Sequence, residues 1–119
     1  MIIKEDFSID ERVRRMKQPG LGAIVMFLGM VRADEGVQGM SITGDEERAE
    51  AKLEQLKQAT REKFEIETVE FVHRVGSLPV GENVLLILVG AKHRKDAFQA
   101  CEYLIDTLKL NEPLTKEEY

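Results

Sequence analysis

Arg32, the trio Lys92-His93-Arg94, and the pair Lys109 and Lys116 fall where the residue pattern predicts ends of strands and helices. Side chains at such ends can converge on one pocket rim, where guanidinium, imidazolium and ammonium groups bind phosphates and carboxylates by charge-assisted hydrogen bonds. Each residue has a plainer role open to it. Arg32 can end a strand in water, His93 can start a helix, and Lys116 can sit in a solvated charged tail. Lys109 falls in the last turn of a helix, where the macrodipole favours a cation. Cys101 shares an apolar helical face with Phe98 and Ile105, which predicts a buried, inert thiol. His73 lies on the same side of its strand as Val69 and Phe71 and reads as a partly buried, hydrogen-bonded histidine rather than a metal ligand. GxSxG, P-loop, GxGxxG and HExxH motifs are absent. Composition and spacing alone therefore stop at a soluble α+β domain with basic strand ends.

Composition limits who the partners can be. The chain has 119 residues, with 17 Lys and Arg against 22 Asp and Glu, for a formal net charge of -5. The length predicts one domain over residues 1–119, and 43% apolar residues supply one core. A single cysteine excludes an internal disulfide and argues against a zinc site, and no cofactor motif is present. The acidic balance argues against nucleic acid as a general partner, so an anionic ligand needs a local cluster of cations. The longest apolar run, Gly22 to Val31, spans ten residues, which is too short for a bilayer. With no signal pattern in Met1 to Asp6, the expectation is a soluble cytoplasmic protein with no membrane contact.

The elements that must position these cations follow from periodicity. Met1 to Glu5 reads as a weak first strand. Ser8 to Glu11 forms a capping box ahead of Ile9, Val13 and Met16, predicting a short helix to about Lys17. Gly22 to Arg32 is almost continuously apolar and reads as a central strand covered on both faces. Met40 to Thr43 is a short strand, and Thr43 to Glu46 is a second capping box. The helix it opens carries Ala49, Leu53, Leu56, Thr60 and Phe64 on one side. From Ile66 the pattern alternates as a strand, Gly76 to Gly81 reads as a turn, and Asn83 to Ala91 is a buried strand antiparallel to the previous one. Phe98, Cys101, Leu104, Ile105 and Leu108 mark a last helix closed by Pro113. The order predicts an α+β fold with a mixed or antiparallel sheet and helices mainly on one face. The two long strands are apolar on both sides, yet only three helices can cover them, which predicts that another chain buries part of that surface.

Four segments in register go further than pattern. Gly22-Ala23-Ile24-Val25-Met26-Phe27-Leu28-Gly29-Met30-Val31-Arg32 comes first, followed by His73-Arg74-Val75-Gly76-Ser77-Leu78-Pro79-Val80-Gly81-Glu82. Ala91-Lys92-His93-Arg94-Lys95-Asp96-Ala97-Phe98 is third, and Leu108-Lys109 with Pro113-Leu114-Thr115-Lys116 is last. Together they resemble the MoaE family, the large catalytic subunit of molybdopterin synthase. The resemblance implies an α/β-hammerhead fold with a small β-subdomain. It also implies sulfur transfer to cyclic pyranopterin monophosphate, forming the molybdopterin dithiolene. The sulfur comes from the thiocarboxylated Gly-Gly C-terminus of a small ubiquitin-like subunit, and a large-subunit homodimer carries a small subunit at each end. It implies catalytic roles for Lys109 and Lys116, and anion-binding roles for Arg32, His93 and Arg94. Thr115 stands where the family has tryptophan, and Thr43-Gly44-Asp45 departs from its usual pattern. A second reading, a non-catalytic partner-binding subunit of the same fold, would need the docking surface but not both lysines.

Overall fold

The computed structural model describes residues 1–119. Ser8 accepts a hydrogen bond from the Glu11 N–H at 3.2 Å and opens α1 (Ile9–Met16), as the capping box predicts. The second capping box works from a different residue. Asp45, not Thr43, accepts from the Arg48 N–H at 3.1 Å and opens α2 (Glu46–Lys63). The remaining elements are β1 (Ile2–Ile3), β2 (Ala23–Met30), β3 (Gly39–Thr43), β4 (Thr68–Arg74), β5 (Gly76–Pro79), β6 (Asn83–Ala91), α3 (Arg94–Leu110) and β7 (Thr115–Glu118).

The main sheet runs β1-β4-β6-β2, with β1 parallel to β4 and the other pairs antiparallel. Helices α2 and α3 cover one face, burying Leu53, Leu104 and Leu108 against Val69, Phe71, Ile87 and Val89. α1 covers part of the other, setting Met16 on Val72, Leu86 and Leu88. The mixed sheet with helices mainly on one face matches the expected α+β class.

β2 is an edge strand, not the central strand that its apolar run suggests. A run of that composition looks alike whether its far side meets protein or is left open. Met26 and Met30 remain 47% and 58% exposed. Residues 76–81 are also not merely a turn. β5 crosses into a second, three-stranded sheet, β5-β3-β7, and Gly76 and Gly81 make the sharp corners with φ of 107° and 92°. The expected charged tail around Lys116 is β7 itself, a solvent-facing strand paired with β3 from Thr43↔Thr115 to Met40↔Glu118. Tyr119 pins that tail: its backbone carbonyl accepts from the Gln38 N–H at 2.6 Å, and its hydroxyl lies 2.6 Å from Ser77 Oγ. This second sheet is the small β-subdomain.

Candidate active site

Strand direction decides which cations can meet. In the β2–β6 ladder Ala23 faces Ala91 and Met30 faces Asn83, so the two ends of β2 lie about 23 Å apart at strand rise. Helix α3 starts just beyond Ala91, and its 17 residues run about 25 Å back along the sheet. Lys109 in its last turn thus reaches the Met30 end. The chain then turns at Pro113 into β7, where Ile42↔Lys116 pairing fixes the second lysine. Both lysines line one cavity of about 150 Å³, together with Phe27, Met30, Ile105 and Glu112. Its walls are largely apolar, which strengthens any charge interaction made inside. Lys116 Nζ sits 3.3 Å from Glu112 Oε2, whereas Lys109 forms no salt bridge and is free for a ligand.

The other predicted residues divide between the two ends of the sheet. Arg32 follows closely after Met30, at the lysine end, with its side chain 83% exposed. Its guanidinium is forked onto Asp34, Nε to Oδ1 at 2.9 Å and Nη2 to Oδ2 at 3.2 Å. This bond raises its pKa, and an incoming anion must displace Asp34. His93 and Arg94 start α3 at the Ala23 end, exposed, and His93 caps the helix without a side-chain hydrogen bond. One rim formed by Arg32, His93 and Arg94 within a single chain is therefore not what the fold builds: antiparallel pairing of β2 and β6 separates them. Cys101 is buried, and burial pushes its thiol pKa up, so little thiolate exists near neutrality.

Behind the cavity lies a titratable group that the spacing undersold. His73 is completely buried, with Nδ1 at 3.0 Å from the Arg74 carbonyl and Nε2 at 3.8 Å from Glu112 Oε1. Neither Nε2 nor Oε1 has a hydrogen-bond partner. Burial drives the His73 pKa below the ordinary histidine value; the Lys116 and Met1 ammonium groups add to this, while the bond to Arg74 and the Glu112 carboxylate oppose it. The unfolded chain therefore takes up a proton below about pH 6.5 that the folded chain refuses. Stability should fall as pH drops through that value, by at most about 1.4 kcal/mol per pH unit from this residue. Urea melts from pH 7.5 to 5.0 should show a shallower acid slope in His73→Gln than in the parent. Glu112 was also missed from sequence, although its spacing of three from Lys109 and four from Lys116 was visible.

Comparison with known proteins agrees with this architecture. The family model described as MoaE protein matches residues 2–111. The molybdopterin synthase catalytic subunit of Pyrococcus abyssi is 37% identical over 118 residues, covering 96% of this chain and 79% of that protein. The crystal structure of molybdopterin synthase from Staphylococcus aureus superposes with a TM-score of 0.92 at 32% identity, over 99% of this chain and 88% of the other. A complex of subunits 1 and 2 of molybdopterin-converting factor from Helicobacter pylori shares the fold, with a TM-score of 0.84 at 23% identity over 98% of this chain and 82% of that one. No helix is long and apolar enough to cross a membrane. With the match running from β1 to the end of α3, and near-complete superposition on a relative that is 32% identical, the chain belongs to the MoaE family.

Proposed function

We propose that this chain is the catalytic subunit of a molybdopterin synthase, working in the reducing cytoplasm, where a free buried thiol such as Cys101 persists. It moves sulfur from the thiocarboxylated Gly-Gly C-terminus of a small ubiquitin-like subunit to cyclic pyranopterin monophosphate. The observation that carries this reading is the meeting of Lys109 and Lys116 at one largely apolar cavity. Both reactants are anionic, and sulfur transfer from a thiocarboxylate passes through negatively charged tetrahedral species. Ammonium groups held beside apolar walls stabilise such species far better than water-exposed ones. The free Lys109 is the group assigned to the acyl carbon, and Lys116, tethered to Glu112, assists proton movement. The same pair speaks for the enzyme over a purely partner-binding homologue, which has no use for two cations in one cavity.

The anion site is assigned to two copies of the chain. β2 leaves an open edge with Met26 and Met30 exposed, and a two-fold axis beside its midpoint sets two such edges antiparallel. The Ala23 end of one copy then lies beside the Met30 end of the other. His93 and Arg94 of the partner subunit thereby join Arg32, Lys109 and Lys116. An extended tail is the form of ligand that suits a narrow cavity, and glycine alone lets a backbone come that close. Calorimetry with a small partner ending in Gly-Gly should give saturable binding that is lost when the two glycines are removed. Equal affinity for both forms would count against tail insertion.

A further inference from the structure

We propose that His73, Glu112 and Lys116 form a proton relay from the core to the two-lysine cavity, in which His73 Nε2 takes up, through the Glu112 carboxyl group, the proton that Lys116 sheds. The inference rests on the reading of Lys116 as an acting residue.

The direction of the relay follows from the hydrogen bonds. The Arg74 carbonyl 3.0 Å from His73 Nδ1 can only accept, so the ring proton sits on Nδ1 and the Nε2 lone pair faces Glu112. Glu112 Oε1 is another acceptor, 3.8 Å away, and both atoms are buried without partners. Two orphaned acceptors pointed at each other are costly, and a proton between them satisfies both. The nearest proton is on Lys116 Nζ, 3.3 Å from the other oxygen of the same carboxylate. Moving it converts an ammonium, a carboxylate and a neutral imidazole into a neutral amine and a protonated Glu112–His73 pair. Net charge is unchanged, and no other reactant is needed. The product is a neutral amine at the cavity wall, the form required for attack on an acyl carbon or for accepting a proton.

The surrounding charges make the transfer reversible. The Met1 ammonium, paired with Glu50 at 2.9 Å, and Lys116 both disfavour an imidazolium, as does burial. Asp45, Arg48 and Lys52 line a second cavity that Glu112 also borders, and Lys109 shares the first. The Arg74 guanidinium is occupied with the Lys4 and Asn83 carbonyls. His73 therefore holds the proton weakly and can return it.

Two measurements test the relay. Ring resonances of His73 followed by NMR titration should move to higher pKa in Lys116→Met and to lower pKa in Glu112→Gln, because those groups act on the ring with opposite signs. In turnover, His73→Leu and His73→Gln should each lower kcat about tenfold to a hundredfold with KM unchanged. His73→Leu removes the orphaned Nε2 together with the Nδ1–H donor to the Arg74 carbonyl, so it should melt within a few degrees of the parent while kcat falls; a merely structural histidine would lose stability and activity together. Glu112→Gln, at a partly exposed position, should give the same kcat loss if either core variant folds poorly. The relay is overturned if His73 titrates identically in all three proteins. It is also overturned if the His73 and Glu112 variants turn over normally while Lys116→Ala is inactive. Full activity in Lys116→Ala would instead overturn the assignment of Lys116 itself, and with it the relay that starts from its proton.

Discussion

Replacing Lys109 with alanine is expected to slow dithiolene formation by about 10²–10⁴-fold, the range associated with losing a positioned acid–base or charge-stabilising group. The fold should survive. Lys109 is exposed and makes no salt bridge, so its structural worth is limited to a helix-end cation, about 0.3–1 kcal/mol. That corresponds to a few degrees of melting temperature for a chain of this size. Lys109→Arg separates charge from proton chemistry. A guanidinium restores the positive charge but does not deprotonate near neutrality, so a variant that binds substrate yet stays slow assigns Lys109 to proton transfer or acyl attack. Normal turnover by Lys109→Ala, with melting unchanged, would remove the residue from the site.

Two inactive variants, mixed, should recover activity. Lys109→Ala damages the lysine end of each site, and Arg94→Ala damages the end assigned to the partner copy. In a mixed dimer one site carries both defects and the other carries neither. With random exchange half of the dimers are mixed, and one site in two is intact, so about a quarter of parental activity should return. Sites complete within one chain would give no recovery. The same experiment requires dimers, and light scattering at micromolar concentration should give about twice the monomer mass. A monomer would leave His93 and Arg94 at the far end of the sheet from the lysines.

What the sequence reveals follows from which interactions are local. β6 matches its expected span, Asn83 to Ala91, because a continuous apolar run between Gly81 and a charged cluster has no other use. α1 and α2 are legible from periodicity and a capping side chain, although the capping-box spacing points to Thr43 where Asp45, two residues on, is the cap. β5 and β7 were not legible. Each is four residues long and becomes a strand only by pairing with β3, far away in sequence. For the same reason the lysine pair was visible as a pair but its shared cavity was not, since α3 and β7 bring the two together by different routes. Arg32 and His93 look alike as strand-end cations, and only the antiparallel register of β2 and β6 tells that they occupy opposite ends. The Glu112–His73 contact joins a loop after α3 to the core of β4, and no periodicity reports it.

The most direct measurement incubates the purified chain with cyclic pyranopterin monophosphate and a small Gly-Gly-ended partner bearing a C-terminal thiocarboxylate, and follows the pterin by mass spectrometry. The expected result is a product that has gained two sulfur atoms, formed only when the chain and the thiocarboxylated partner are both present. A folded, partner-bound chain that leaves the pterin without sulfur would contradict it.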